Sequence, residues 1–277
     1  MLSYQHAYHA GNLADVHKHT VLLAALRICL KAWPRLRYVE SHAGRGRYDL
    51  QGFEANKTGE WRQGIARLAA AGDLTGPLNH YRKFVLEFSK AKTLEALRWY
   101  PGSPAIARRV LRRTDVARLH DLHPQEFSAL SDGLDQDDRF DVHCSDGLVG
   151  VQTLEAEPEM ATFVLIDPSY ENQGEFDAVL DAASQLKNVA VCLVWYPQLS
   201  DGRHQDLANW LHAAGTLSTF PFQRLDKNAV AGRKMYASSM GLLVNGDASA
   251  AMAKTLRRQL KIIDKSLESW FTPYFDE

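Results

Sequence analysis

The segment Ala161-Thr-Phe-Val-Leu-Ile166 runs directly into Asp167-Pro168-Ser169-Tyr170. A strand that is apolar on both faces has no solvent side and belongs in the middle of a parallel sheet covered above and below. The change to Asp-Pro ends it abruptly, because proline has no N–H to give a neighbouring strand. Val189 to Trp195 is equally apolar and stops at Tyr196-Pro197. Upstream, Leu36 to Val39, Val116 to Leu122 and Phe140 to Cys144 read as three more strands. Helical spacing fills the gaps over 16–32, 124–133, 175–186, 205–213 and 248–267. This alternation predicts an α/β fold built on a mostly parallel sheet. Leu217 to Leu225 and Met235 to Val244, joined by the polar turn Asp226 to Lys234, predict an antiparallel pair at the sheet edge.

Residues 50–97 break the alternation. Ile65, Leu68 and Ala69, then Phe84, Val85 and Phe88, follow helical spacing with no good strand among them. A small inserted helical subdomain is expected there. The core then comprises 1–49 and 98–277, with the N-terminal segment as a cap. No repeat or Pro/Gly-rich linker suggests independent domains.

The bulk properties narrow the function. Hydrophobic residues are 45% and charged residues 23% of the chain, which excludes a largely disordered protein. The longest apolar runs fall far short of the roughly 20 residues a membrane helix needs. Met1 to His6 lacks the charged and apolar regions of a signal peptide, so a cytoplasmic protein is expected, and a monomer is the expected state. Cys29, Cys144 and Cys192 form no C-x-x-C pair, and buried inert thiols are the simplest reading. The net charge of −1 argues against coating a long nucleic-acid duplex, not against engaging a short segment.

In open parallel sheets, ligands sit beyond the carboxyl ends of the strands. After the first strand comes His42-Ala-Gly44-Arg-Gly46, whose glycines permit a tight turn and close backbone approach. A full dinucleotide fingerprint would place a third glycine at the position of Asp49, so a nicotinamide enzyme is disfavoured. Asp121 ends the second strand, where a carboxylate can accept both hydroxyls of a ribose. Asp146-Gly147 follows the third, where an acid and a backbone amide can read an adenine edge. Together, in this order, they point to a nucleoside-bearing cofactor.

Asp167-Pro168-Ser169-Tyr170 resembles the Asp-Pro-Pro-Tyr motif of adenine-N6 and cytosine-N4 methyltransferases. An exocyclic amine is a poor nucleophile because its lone pair is delocalised into the ring. The Asp167 carboxylate and the Pro168 carbonyl can accept its two N–H bonds, and the carboxylate can take the proton as charge develops. The Tyr170 ring can stack on an extruded base, with Ser169 beside it. No metal is required. The N-terminal run Tyr4-Gln-His6 to His17-Lys18-His19 carries four histidines without H-E-x-x-H spacing, so a metal site is not expected. A segment folding over cofactor and substrate fits better, with His6 toward the substrate and Lys18 near the carboxylate end of the cofactor.

The run Met1 to Thr20, His42-Ala-Gly-x-Gly-Arg-Tyr48, Tyr100-Pro-Gly-Ser-Pro104-x-Ile-Ala107, Leu122-His-Pro124, Asp146-Gly147 and Trp195-Tyr-Pro197 together resemble the bacterial 23S ribosomal RNA adenine-N6 methyltransferase J family. The resemblance implies a Rossmann-like class I methyltransferase core with a helical insert, S-adenosylmethionine as donor and 23S ribosomal RNA as partner. By motif match it places His19, His42, Ser103, Asp121, Asp146 and Gly147 at the cofactor. It makes Asp167 the proton acceptor and Tyr4 an RNA contact. Two positions depart from the family pattern: Asp121 stands where Glu is common, and Ser169 where Pro is usual. The amine-binding groups survive the second change, because the carbonyl belongs to Pro168. A DNA adenine methyltransferase uses the same amine chemistry and is the nearest alternative. A non-catalytic nucleic-acid-binding protein linked to use of external DNA, also associated with the family, would be expected to have lost Asp167.

Overall fold

The computed structural model describes residues 4–93, 96–172, 174–221, 235–245 and 250–271. Its strands are β1 (Leu36–Glu40), β2 (Arg47–Asp49), β3 (Trp99–Pro101), β4 (Val116–His120), β5 (Phe140–His143), β6 (Ala161–Ile166), β7 (Val191–Leu199), β8 (Thr216–Pro221) and β9 (Met235–Val244). Its α-helices are α1 (Leu13–Ala32), α2 (Phe53–Thr58), α3 (Ile65–Ala70), α4 (Gly76–Ser89), α5 (Ser103–Val110), α6 (Pro124–Leu134), α7 (Gly147–Gln152), α8 (Gly174–Ser184), α9 (Gln205–Ala214) and α10 (Ala250–Trp270). Short 3-10 turns cover His6–Tyr8 and Glu60–Arg62.

Seven strands form one sheet in the order β5-β4-β1-β6-β7-β9-β8. The first five of these are parallel, and β9 runs antiparallel to both β7 and β8. The expected edge pair is therefore present, while its turn, Asp226 to Lys234, lies outside the described residues. So do Met1 to Ser3 of the N-terminal run and the first residues of the expected last helix.

Side chains alternate across the central strands, as the two-residue repeat of a strand requires. Phe163 and Leu165 enter one apolar cluster with Leu22, Leu26, Leu256 and Leu260, while Val164 and Ile166 enter the other with Val179 and Leu207. Helices α1, α4 and α10 thus cover one face, and α8 and α9 the other. The insert between β1 and β4 contributes Leu78, Tyr81 and Val85 to the first cluster, through packing of α4 on α1 and α10.

Several elements differ from expectation. Helix α1 starts three residues early, because the Asn12 side chain accepts the Asp15 N–H at 2.9 Å and caps it. Strand β7 continues through Tyr196-Pro197 to Leu199. Its pairing with β6 ends at Val194, and beyond that only β9 flanks it, so a proline costs no bond on the open side. The pair β2–β3 and the helix α5 were not expected. Pro104 lies in the first turn of α5, where its missing N–H costs nothing. No helix of the described residues is long and apolar enough to cross a membrane.

Candidate active site

The strand order reverses between β1 and β6, which makes the crevice outside their carboxyl ends the natural ligand site. A cavity of about 720 Å³ opens there. His42, Gly44, Ser103 and Asp121 line one side. Asp167, Pro168, Ser169, Tyr170 and Trp195 line the other, and Tyr4, His6, Lys18 and His19 reach in from the N-terminal segment and α1.

On the β1–β4 side, Asp121 holds the glycine turn. Its Oδ2 accepts the Gly44 N–H at 2.7 Å and its Oδ1 the His123 N–H at 2.8 Å. Each carboxylate oxygen can accept a second bond, so two hydroxyls can still be received. Burial pushes this carboxyl up, against the pull of the two backbone N–H groups. Gly44 sits at φ +60°, and a Cβ there would meet the Tyr48 hydroxyl at 2.3 Å, so the turn needs glycine at this point. The Ser103 hydroxyl donates to Glu40, whose other oxygen receives the Tyr38 hydroxyl at 2.9 Å. Burial pushes the Glu40 carboxyl up to about 8, although both hydroxyls favour its charged form. Sequence reading missed Glu40; the signal was an acid at the end of a fully buried strand. His19 Nδ1 lies 2.7 Å from the Tyr100 hydroxyl, and burial lowers its imidazole to about 3.

Asp146 and Gly147 are not among the residues lining the cavity. Asp146 is exposed and caps α7 by accepting the Leu148 and Val149 N–H groups at 2.9 and 3.3 Å. Gly147 is buried against the Ser41 backbone. Both bonds fall on one oxygen, Oδ1, and this cap fixes the side chain at the start of α7, outside the cavity lining.

On the β6 side, Asp167 is linked to the N-terminal segment by ions. Lys18 Nζ lies 2.6 Å from Asp167 Oδ2 and 3.1 Å from Asp15 Oδ1. Lys18 was expected near a cofactor carboxylate, but two protein carboxylates already hold it. Asp15 Oδ2 accepts the Gly11 N–H at 2.8 Å and faces His6 Nε2 at 3.0 Å, and His6 Nδ1 meets the Tyr4 hydroxyl at 2.9 Å. A carboxylate only accepts, so His6 donates from Nε2 and accepts the Tyr4 proton at Nδ1. Burial works against the Lys18 charge, yet Asp167 and Asp15 outweigh it and hold its pKa above the ordinary lysine value. Burial pushes the Asp167 carboxyl up, with Lys18 pulling it partly back. The four histidines of the segment go to four different neighbours instead of a common point.

Tyr170 has φ +54°, a rare conformation for a bulky residue and a local store of strain. Its hydroxyl donates to the Trp195 carbonyl at 2.7 Å, and its ring packs on Phe176 with centroids 4.3 Å apart. The ring is therefore locked into the cavity wall. Behind it runs a buried polar chain. Trp195 Nε1 donates to Ser238 Oγ at 2.9 Å, His17 spans Ser238 and Ser218 at 2.9 and 2.8 Å, and Ser218 donates to Asp264 at 2.5 Å. An indole only donates and a carboxylate only accepts, so the chain can run in one direction only, with His17 protonated at Nε2. Burial lowers the His17 imidazole to about 3, which keeps it neutral. Ser238→Ala orphans the indole N–H and a His17 nitrogen. It is expected to cost about 1–3 kcal/mol, read as a lowered midpoint in thermal denaturation.

The profile of the family described as ribosomal RNA large subunit methyltransferase D, RlmJ, matches residues 34–268. The chain belongs to the RlmJ family. A Haemophilus influenzae relative named ribosomal RNA large subunit methyltransferase J is 34% identical over 243 residues, 87% of this chain and 86% of its own. An Escherichia coli protein of the same name is 35% identical over 218 residues, 78% of this chain and 77% of its own. A Legionella pneumophila crystal structure superposes with a TM-score of 0.77 at 27% identity, covering 96% of this chain and 95% of that one. This RlmJ-family chain is thus a methyltransferase on a Rossmann-like α/β core, and the crevice between β1 and β6 is its candidate active site.

Proposed function

We propose that this chain transfers a methyl group from S-adenosylmethionine to the N6 amine of an adenine in 23S ribosomal RNA. The observation that carries the proposal is Asp167, a carboxylate only 9% exposed at the lip of a central strand, across the switch point from Asp121 and the glycine turn. The donor supplies an electrophilic methyl on a cationic sulfur. Asp121, Gly44, His42, Ser103 and His19 would hold it, since they combine a ribose-accepting acid, a close backbone turn and neutral polar groups.

The substrate side then falls to β6 and the N-terminal segment. With Lys18 on Oδ2, Asp167 Oδ1 accepts one N–H of the target amine and the Pro168 carbonyl accepts the other. This geometry favours a pyramidal nitrogen whose lone pair faces the methyl. As the nitrogen gains charge, the carboxylate stabilises it and takes the proton. Tyr170 and Trp195 give the extruded base an aromatic wall, and Tyr4 and His6, fixed through Asp15, close over it. Ser169 leaves these acceptors in place.

Methyl transfer to unmodified 23S ribosomal RNA, compared with duplex DNA, tests the proposal directly. Transfer to DNA alone, or to neither, would overturn it. Asp121→Ala should weaken S-adenosylhomocysteine binding about 10- to 100-fold by calorimetry, the worth of charge-assisted hydrogen bonds of about 1.5–3 kcal/mol. The pH profile carries a second prediction. A base raised by burial loses its charged form as pH falls through its raised pKa, so the acid limb of the single-turnover rate should lie above the ordinary carboxylate range. Lys18 lowers that pKa, so Lys18→Met should move the limb to still higher pH; a limb moving the other way would contradict the assignment.

A further inference from the structure

Arg203 stands on the cavity wall, in the turn between β7 and α9, and neither the sequence motifs nor the chemistry above uses it. Its side chain is 12% exposed, and its Nε donates to Asp201 Oδ2 at 2.8 Å. Both terminal nitrogens are buried, and among the described residues neither has a hydrogen-bond partner. A guanidinium carries five N–H donors in a fixed planar fork, and here only the Nε–H is engaged. Burying charged donors without partners is costly, and such sites persist where a ligand completes them. The anions whose shape matches the fork are a carboxylate and a phosphate, each able to take two parallel N–H bonds.

The position along the sheet says which ligand brings that anion. Asp121 follows β4, Asp167 follows β6, and Arg203 follows β7, in a sheet ordered β4-β1-β6-β7. Strands lie about 4.8 Å apart. The proposed ribose acid is thus on one side of Asp167, and Arg203 is on the other, beyond Trp195, Pro197 and Leu199 of β7. A ligand entering from this side is the substrate, and an RNA substrate carries a phosphate at every nucleotide. We infer that Arg203 binds a backbone phosphate flanking the extruded adenosine, and so anchors the target nucleotide against Asp167. This rests on the RNA methyltransferase reading above.

The test is Arg203→Met, with Arg203→Lys as the variant that keeps charge but loses the fork. In Arg203→Met, the KM for in vitro transcribed 23S ribosomal RNA should rise about 10- to 100-fold. The salt dependence of RNA binding should lose about one ion's worth of slope. Binding of S-adenosylhomocysteine should stay within twofold, and Arg203→Lys should recover only part of the loss. Because the guanidinium has unmet donors, its removal should leave the thermal midpoint unchanged or higher, whereas a purely structural arginine would lower it. As competitors of methylation, adenosine 3′,5′-bisphosphate should outperform adenosine in the wild type, and that advantage should vanish in Arg203→Met. Loss of S-adenosylhomocysteine binding with RNA KM unchanged would assign the fork to the donor's carboxylate and overturn the inference. So would a wild-type KM in the variant. If the wild-type protein methylates no RNA, the functional reading itself has failed, which the wild-type arm shows separately.

Discussion

Asp167→Asn should lower the single-turnover rate of methyl transfer by about 10²- to 10⁴-fold, the usual worth of a positioned acid–base group. The substitution keeps the shape of the side chain and removes the charge that accepts the target N–H and stabilises the developing cation. Removing one partner of a buried ion pair ordinarily costs about 3–5 kcal/mol, since the other charge is stranded. Here Lys18 keeps Asp15 at 3.1 Å, so the fold should suffer less than that range. Affinity for S-adenosylhomocysteine should stay within a few-fold, because the proposed donor contacts His42, Gly44 and Asp121 lie across the switch point, after β1 and β4. Calorimetry and single-turnover kinetics on one preparation separate the two effects. Equal loss of cofactor binding and rate would show that Asp167 does not act on the amine.

Gly147→Ala should destabilise the protein by about 3 kcal/mol or more, at the upper end of overpacking costs. A Cβ at this position would lie 1.9 Å from the Ser41 carbonyl oxygen. The obstacle is backbone at the end of β1, so no side chain can swing away to relieve it. Helix α7 would have to shift off the end of β1, which leads into His42 and the glycine turn. For a chain of this size that corresponds to a thermal midpoint lower by about 6–10 °C. The same residue was expected from its motif to touch the cofactor. A variant that kept its melting temperature but lost cofactor binding would restore that role and contradict the packing account.

The middle of the parallel sheet was legible because β6 and β7 are apolar on both faces and β6 stops at once in Asp-Pro. Strands β1, β4 and β5 were read from short apolar stretches closed by polar or Gly-rich turns. These signals are local, and Ala161–Ile166 needs no partner to be read. Strand β7 was cut short because Pro197 is a stop signal only where strands lie on both sides, and sequence cannot show that β6 has already ended. The strand-end acids were readable as a set, but not which of them line the cavity. Asp146 caps α7 through one oxygen and stands outside the cavity lining, whereas Asp121 holds the glycine turn at the cavity wall. Glu40 and Arg203 escaped notice for the same reason. Their meaning lies in burial and in missing or distant partners, which depend on residues far away in the chain. The ion pair between Lys18 and Asp167 joins the first helix to the residue that follows the sixth strand, and no spacing rule connects them.

Nucleoside mass spectrometry of 23S ribosomal RNA from a strain lacking this protein puts the proposed chemistry to the most direct test. One adenosine should lose its N6-methyl group. The modification should return with the wild-type gene and stay absent with Asp167→Asn. An unchanged methyladenosine inventory, or loss of a methyl from a ring nitrogen or a ribose oxygen instead, would contradict an Asp167-centred transfer to the exocyclic amine.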